Sequence, residues 1–252
     1  MSLTLPMTDK TPLSNIVAII PAAGIGKRMG SMIPKQYINV AGKTILEHTV
    51  SALMAHPAID TIIIAVAQHD TTIQTLPFVH NPSIHIVIGG EERSDSVYSA
   101  LNFAKKNLFA KWALVHDAAR PLIAYHQIDK LLSVMSDSIG KTEGYTGAIL
   151  ALPVKDTIKQ GKIDNHTTCI DKTLPRTLLW AAQTPQLFPV DILHHAIEYC
   201  HDNQHLLTDE ASAIEMMGLK IRLVEGVSSN IKLTEPDDLA YIKFMLMNQL
   251  SE

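Results

Sequence analysis

The chain has 252 residues, a formal net charge of −4 and a hydrophobic content of 46%, which is enough apolar material for one substantial core. The negative balance argues against a nucleic-acid binder, which normally carries a basic field, and no apolar run approaches the roughly 18 residues that cross a bilayer. The two cysteines, Cys169 and Cys200, have no motif spacing, so we expect a cytoplasmic protein with reduced thiols and neither a nucleic-acid nor a membrane partner.

The chain begins with a polar segment and continues with alternating strands and helices. Residues 1–15 have no apolar signal core and are predicted to be a flexible leader, and residues 16–250 a single domain. The predicted strands are short and largely apolar: 16–21, 61–67, 84–88, 112–116, 146–150 and 220–224. The predicted helices are 44–55, 94–106, 126–137, 190–202, 209–217 and 236–250. This alternation predicts a three-layer α/β fold with a mostly parallel, Rossmann-like sheet covered by helices on both faces.

One long segment interrupts the alternation. Residues 152–189 are rich in Pro, Thr and Lys and lack strong periodicity, so we predict irregular structure there. A loop of that length inside a compact domain usually has a function. We therefore predict a protruding arm at about 152–185 that acts as a lid or grips another subunit.

The first predicted strand leads into a loop with a distinctive composition. Its small residues leave almost no side-chain bulk, so backbone N–H groups there can approach an anion closely. Two cations follow and add positive charge where phosphates would lie. The pattern therefore predicts a nucleoside triphosphate site. The small residues are Ala22, Ala23, Gly24 and Gly26, and the cations are Arg28 and Lys35.

The loop differs from two common phosphate-binding motifs. In the register of the dinucleotide fingerprint, Met29 occupies the third glycine position, and the expected acidic residue about 20 positions later is not evident. The loop is not a Walker A motif either, because no Gly-Lys-Ser/Thr follows it. An ordinary strand-to-helix turn is the remaining alternative, but it does not account for two cations seven positions apart around Pro34.

Eight motifs follow one another along the chain. They are PAAGIGKRM at 21–29, PKQ at 34–36, GGEERSDSV at 89–97, VHDAARP at 115–121, PVKDT at 153–157, QTPQLF at 183–188, TDEAS at 208–212 and NIKLT at 230–234. In this order they resemble the motifs of the 2-C-methyl-D-erythritol 4-phosphate cytidylyltransferase family. The resemblance implies a fold of the nucleotide-diphospho-sugar transferase type, with a β-arm used for homodimerisation. It also implies Mg²⁺ as cofactor, with CTP and methylerythritol phosphate, the acceptor, as substrates.

The resemblance also implies a role for each matching residue. The catalytic residues would be Arg28, Lys35, Arg176 and Lys232. Those that bind CTP would be Pro21, Ala22, Ala23, Gly24, Gly26, Gly90, Glu91, Arg93, Ser96 and Ala118. Those that bind the acceptor would be Asp117, Arg120, Thr157 and Thr184, with part of that contact made across the dimer interface.

Asp117 is expected at the carboxyl end of a strand, because the apolar run of the VHDAARP motif ends at His116. Ligands of open α/β sheets bind at that edge, and a carboxylate there is suited to hold Mg²⁺ against a triphosphate. The alternative is that Asp117 caps the following turn. Arg120 either binds the acceptor phosphate or pairs with Asp117.

Other residues of the motifs also have more than one interpretation. We predict that residues 230–234 form a short strand, in which Lys232 either meets an anion or, on an edge strand, faces water. Arg93 and Ser96 either bind the nucleotide or cap the helix that follows. Arg176 either holds the acceptor or lies on a solvated surface. Residues 208–210 are interpreted as a helix start whose acidic residues favour the dipole.

The implied reaction is an in-line attack of the acceptor phosphate on the α-phosphorus of CTP, with release of pyrophosphate. A phosphomonoester has its second pKa at about 6, so it is already largely an anion at neutral pH and needs no general base. Two alternatives remain open. One is a ribitol 5-phosphate cytidylyltransferase, and the other is a non-catalytic nucleotide-binding module.

Overall fold

A seven-stranded sheet forms the centre of the part of the chain described by the computed structural model, residues 13–24, 33–138, 144–164 and 166–249. In order across the sheet its strands are β11 (Lys220–Glu225), β7 (Tyr145–Pro153), β10 (Trp180–Pro189), β6 (Trp112–Val115), β1 (Ile16–Pro21), β4 (Ile59–Val66) and β5 (Ile84–Ile88). Strand β10 is antiparallel to both of its neighbours, and the other pairings are parallel. The predicted, mostly parallel sheet is therefore confirmed.

Helices cover both faces of this sheet. Helices α1 (Ile45–Met54) and α3 (Tyr125–Ser138) pack on one face, while α2 (Arg93–Phe103), α4 (Val190–Asp202) and α5 (Glu210–Met216) pack on the other. Residues 16–20 of β1 are buried because their side chains enter, in alternation, the two apolar clusters on the two faces. Helix α6 (Pro236–Gln249) packs against a third cluster, next to the start of α1. The three-layer prediction is confirmed.

Local signals explain where the helices begin. Thr44 caps α1 through the backbone N–H of Glu47, whose carboxylate accepts the Thr44 N–H in return. Asp209 caps α5 in the same manner, with its side chain accepting the N–H of Ser212. Helix α2 ends in a π turn, Ala104–Leu108, which accounts for the longer helix predicted there. The predicted helix bounds agree with the structure to within a few residues.

The prediction of an irregular segment at 152–189 is wrong, because most of this segment is strand. Strands β8 (Ile158–Asp164) and β9 (Thr167–Leu174) form a separate antiparallel hairpin, called the arm below, and β10 then returns into the central sheet. The arm is exposed on both faces, so its sequence lacks the alternation that marks a half-buried strand. In β10, a register shift between Ala182 and Gln186 interrupts the ladder with β7.

Two further segments differ from the predictions. Residues 230–234 are not a strand but an irregular stretch, in which the Leu233 N–H donates to the Ala119 carbonyl at 2.8 Å. Strands β2 (Asn39–Val40) and β3 (Lys43–Thr44) form a short hairpin that was not predicted. Of the predicted leader, residues 1–12 lie outside the described residues, whereas Leu13 packs against the core. None of the described helices has both the length and the apolar composition of a membrane span.

Candidate active site

Two adjoining cavities open at the carboxyl edge of the parallel strands. The first cavity has a volume of about 250 Å³ and lies between the segments that follow β1, β5 and β6. The second cavity has a volume of about 260 Å³ and lies between the segment after β6, strand β10 and the start of α5. Three charged residues line both cavities: Arg93, Asp117 and Lys232. The arrangement can therefore hold two ligands that meet at one group of charges.

Asp117 lies at the centre of that group, two residues beyond the end of β6. Its Oδ1 accepts a hydrogen bond from Arg93 Nε at 3.0 Å, and its Oδ2 accepts from Lys232 Nζ at 2.9 Å and from Arg120 Nε at 3.4 Å. Burial alone would raise the pKa of this carboxyl, but Arg93, Lys232 and Arg120 together hold the pKa well below its usual range. Asp117 is therefore an anion that organises three cations.

A second carboxylate completes the group. Glu210, the first residue of α5, accepts hydrogen bonds from Arg93 Nη1 at 2.6 Å and from Nη2 at 3.0 Å. We call these five residues the charge junction: Arg93, Asp117, Arg120, Glu210 and Lys232. With three cations and two carboxylates, the charge junction carries a formal charge of +1. It therefore attracts anions such as phosphates.

Lys35 and Gln36 line the first cavity from the turn that follows Pro34. Lys35 Nζ donates to the Leu233 carbonyl at 2.9 Å, which ties the turn to the irregular stretch that carries Lys232. The buried Gln36 side chain donates through Nε2 to the Ala22 carbonyl at 2.9 Å and so holds the small-residue loop after β1. Gln36 was not among the predicted site residues, although it belongs to the PKQ motif.

The segment between β5 and α2 closes another side of the first cavity. A Cβ at Gly90 would lie 2.2 Å from Asp95 Cβ, so only glycine fits there. The Gly90 N–H donates to Ser96 Oγ at 3.3 Å, and Asp95 accepts the N–H of the cap residue Glu92 at 3.0 Å. The cap of α2 is thus Glu92 and neither Arg93 nor Ser96, and the Arg93 side chain reaches the charge junction instead.

A chain of hydrogen bonds fixes the backbone around Asp117. The Asp117 N–H donates to Thr184 Oγ1 at 3.0 Å, and Thr184 Oγ1 lies 3.1 Å from His116 Nδ1. His116 Nε2 lies 3.0 Å from the Arg120 carbonyl, which can only accept, so Nε2 carries the proton. Burial lowers the pKa of His116 to about 4, so its ring is neutral and Nδ1 accepts the Thr184 hydroxyl proton. His116 was not predicted as a site residue.

The far wall of the second cavity combines β10 with the start of α5. Gln186 Nε2 donates to Asp209 Oδ2 at 2.8 Å, and Gln186 Oε1 accepts the Ala211 N–H at 2.9 Å. The interpretation of residues 208–210 as a helix start is confirmed, but Thr208 and Asp209 also line the second cavity. The TDEAS motif was the signal that could have identified them.

The predicted site residues that the structure describes lie at the first cavity, at the second cavity or at the base of the arm. Several lie at the first cavity: Pro21, Ala22, Ala23, Gly24, Lys35, Glu91, Arg93, Ser96, Asp117, Ala118 and Lys232. Arg120 and Thr184 line the second cavity, while Gly26 and Arg28 lie outside the described residues. Thr157 and Arg176 are exposed at the base of the arm, where the Arg176 guanidinium donates to the Lys155 carbonyl. Among the residues described for one chain, neither Thr157 nor Arg176 lines the two cavities.

Asp117, in the charge junction, is the residue that was predicted to hold Mg²⁺. In the described part of the chain, no group of three His, Cys, Asp or Glu side chains could hold a metal ion. Mg²⁺ that is bound with a phosphate ligand does not need such a group, because one or two carboxylates and the phosphate oxygens suffice. Asp117 Oδ1 accepts a hydrogen bond from Arg93 and has a second lone pair for a cation. The residues present therefore fit a metal that arrives with a phosphate-bearing ligand.

Comparisons with known proteins place this site in a family. The sequence profile of 2-C-methyl-D-erythritol 4-phosphate cytidylyltransferase matches residues 16–248. Curated proteins of that name from Haemophilus influenzae and Aliivibrio fischeri are 48% and 41% identical to the chain over 92% and 98% of its length, and over 96% and 99% of their own. The crystal structure of the Francisella tularensis protein of that name has a TM-score of 0.76 and 37% identity, covering 92% of this chain and 99% of the other. The chain therefore belongs to the 2-C-methyl-D-erythritol 4-phosphate cytidylyltransferase family.

Proposed function

We propose that the chain transfers CMP from CTP to 2-C-methyl-D-erythritol 4-phosphate, giving 4-diphosphocytidyl-2-C-methyl-D-erythritol and pyrophosphate for isoprenoid precursor biosynthesis. The observation that carries the proposal is the meeting of two cavities at Arg93, Asp117 and Lys232. A transferase needs its donor and acceptor side by side where the new bond forms. Family membership supports CTP and the methylerythritol phosphate as that pair.

CTP would occupy the first cavity. The backbone of residues 22–24 and the ammonium of Lys35 line it and would hold the triphosphate. The turn that contains Gly90 and Ser96 would hold the base and ribose, as the family resemblance implies. Arg28 would add a second cation from the part of the loop that lies outside the described residues.

The acceptor would occupy the second cavity, with its phosphate at the charge junction. Lys232 lines both cavities and would hold the attacking phosphate oxygen close to the α-phosphorus. Because that oxygen is already an anion, the site needs no base. His116, which is neutral and hydrogen-bonded through both ring nitrogens, would therefore take no part in proton transfer. Negative charge that builds up as pyrophosphate leaves would be neutralised by Lys35, Arg28 and Lys232.

Asp117 would hold Mg²⁺ when CTP is bound. Bound there with the triphosphate, the ion would neutralise negative charge on the phosphates during the transfer. The support is that Asp117 is an ionised, buried carboxylate that lines both cavities. In this proposal Asp117 therefore orients the cations of the charge junction and also supplies a metal ligand.

The arm would join two chains into a homodimer. It carries exposed apolar side chains, of which Ile163 is 83% and Ile170 65% exposed, and the turn after it exposes 87% of Leu178. Apolar surface of this kind on a protruding element favours a protein partner. A second copy would also give the exposed Arg176 and Thr157 an acceptor phosphate to bind, across the interface. We place the enzyme in the cytoplasm, in keeping with its reduced thiols.

The test is pyrophosphate release from CTP and Mg²⁺, with methylerythritol phosphate and ribitol 5-phosphate offered in parallel reactions. Rapid release with methylerythritol phosphate alone is the expected result. A preference for ribitol 5-phosphate would keep the mechanism but contradict the acceptor. If CTP binds and no pyrophosphate forms with either acceptor, the chain is a nucleotide-binding module and the proposed function is wrong. A parallel reaction with a chelator tests the metal, and sedimentation tests the homodimer.

A further inference from the structure

Glu210 is a buried carboxylate to which the proposed reaction gives no task. Only 2% of its side chain is exposed, and it lines neither of the two cavities. An acidic residue in the first turn of α5 benefits from the helix dipole, but that benefit is available at the surface and does not require burial. A buried charge is costly unless it is paired and hydrogen-bonded. The pair that Glu210 makes is therefore the feature to explain.

The partner of Glu210 is an arginine whose three guanidinium nitrogens are divided between two carboxylates. Nη1 and Nη2 of Arg93 bind the two oxygens of Glu210 end-on, at 2.6 and 3.0 Å. Only the side nitrogen, Nε, is left for Asp117, on whose Oδ1 it lies at 3.0 Å. Burial raises the pKa of Glu210, and the bidentate pairing with Arg93 opposes that rise. Glu210 thus fixes both the direction and the orientation of the guanidinium plane.

This division has a consequence for Lys232. Because Arg93 reaches Asp117 through Nε alone, it occupies Oδ1 and leaves Oδ2 to Lys232 Nζ at 2.9 Å and Arg120 Nε at 3.4 Å. Without Glu210, the two Nη groups would lose the carboxylate that they bind now, and a fork-to-fork pair between the same guanidinium and Asp117, whose Oδ1 already accepts from Nε, would become available. That pair would take Oδ2 and displace Lys232, the residue that lines both cavities. The charge junction would also lose one of its two negative charges.

We propose that Glu210 is a positioning residue for the transfer reaction. It holds Arg93 so that Asp117 Oδ2 stays paired with Lys232, and it acts through Arg93 rather than on a substrate. The inference rests on the proposed function. It adds that the start of α5, at the rear of the second cavity, determines the geometry of the residue that holds the attacking phosphate.

The test is a double-mutant cycle on turnover with the variants Glu210→Gln, Arg93→Gln and the combination of both. Glutamine keeps the size of Glu210 but removes its charge and puts an amide N–H₂ where Arg93 requires an acceptor. We expect kcat of Glu210→Gln to fall at least tenfold, the order found when a supporting residue of a site is lost. In the Arg93→Gln background the same change should alter kcat less than threefold, since the group through which Glu210 acts is gone. Glu215→Gln, on the exposed side of the same helix, is the matched control and should keep full turnover.

Each outcome decides the inference. A folded Glu210→Gln variant that keeps more than one tenth of kcat overturns it. A change of threefold or more in the Arg93→Gln background also overturns it, because Glu210 would then act without Arg93. If Glu210→Gln fails to fold, the test uses only the turnover of Arg93→Gln and of the double variant. The double variant lacks both charges of the pair, so it leaves no buried charge without a partner. An unsubstituted chain that releases no pyrophosphate contradicts the proposed function itself, whereas an active one with an unaffected Glu210→Gln contradicts only this inference.

Discussion

Replacing Lys232 with methionine should separate catalysis from stability. Methionine keeps most of the aliphatic stem and removes the ammonium that lies 2.9 Å from Asp117 Oδ2. At an effective dielectric constant of about 20, the attraction over that distance is roughly 6 kcal/mol before desolvation and screening are subtracted. Because 37% of the Lys232 side chain is exposed, solvent screening and desolvation offset most of this attraction. We therefore expect Lys232→Met to lower the free energy of unfolding by about 1 kcal/mol. Asp117 also keeps Arg93 and Arg120 as partners.

The effect of Lys232→Met on turnover should be far larger than its effect on folding. Loss of one preorganised charge from the transition state typically lowers kcat by about 10²–10³, which corresponds to roughly 3–4 kcal/mol of activation free energy. The assay is pyrophosphate release at saturating CTP, Mg²⁺ and acceptor, accompanied by the thermal unfolding midpoint, which should fall by only about 2–4 °C. Lys130→Met is the matched control, because Lys130 Nζ also bonds to a distant part of the chain, the Glu225 carbonyl at 2.7 Å, but Lys130 lines neither of the two cavities.

Two results would refute this reasoning. If folded Lys232→Met keeps turnover within about threefold of the unsubstituted chain, Lys232 does not act on the transition state. If the midpoint falls by 10 °C or more, its contribution is structural and the screening argument is wrong. The Lys130→Met control should leave both quantities near those of the unsubstituted chain.

Four further predictions follow from the same structure. Lys35→Ala should lower kcat by about 10²–10³ in a folded protein, and near-normal pyrophosphate release would contradict its role at the triphosphate. Arg176→Ala should raise KM for the acceptor at least tenfold without a matching change for CTP, and unchanged steady-state kinetics would contradict its role. Gly147→Ala would place a Cβ 2.0 Å from a ring carbon of the buried Phe188, so the free energy of unfolding, measured by denaturant titration, should fall by about 2 kcal/mol or more. An unchanged free energy of unfolding would contradict this packing argument. Burial lowers the pKa of His116 from 6.5 to about 4, so between these two pH values the unfolded chain binds more protons than the folded chain. The free energy of unfolding, measured in the presence of a chelator, should therefore fall by about 3 kcal/mol as the pH drops from 6.5 to 4. The unsubstituted chain should show this loss and His116→Asn should not.

The parts of the fold that could be predicted from sequence are those in which local pattern and environment agree. Strand β1 is an uninterrupted apolar run because both of its faces are buried, and Asp117 could be placed at the sheet edge because it follows such a run directly. The apolar neighbours of Lys232 left two interpretations, an anionic partner or an edge position facing water, and in the structure Lys232 Nζ lies 2.9 Å from Asp117 Oδ2. The prediction that its segment is a strand was wrong, since those apolar residues pack on α6 rather than in a sheet.

The features that could not be predicted from the sequence depend on contacts between residues that are far apart in the chain. Strand β10 could not be recognised because it buries Gln183, Thr184 and Gln186, whose polar side chains are paired inside the fold. The pairing of Glu210 with Arg93 joins positions 117 residues apart, and the first-turn position of Glu210 already had a sufficient local explanation. Motif order could place these residues in one family, but only the folded chain shows which of them touch.

The most direct test of the central claim follows the two ends of the CTP triphosphate through the reaction. The unsubstituted chain is incubated with Mg²⁺, methylerythritol phosphate and CTP labelled at either the α- or the γ-phosphorus, and the products are separated. An in-line attack on the α-phosphorus predicts that all of the α-label enters the cytidine diphospho adduct and all of the γ-label leaves as pyrophosphate. A γ-label in the adduct, or an α-label released as free CMP, would contradict the account.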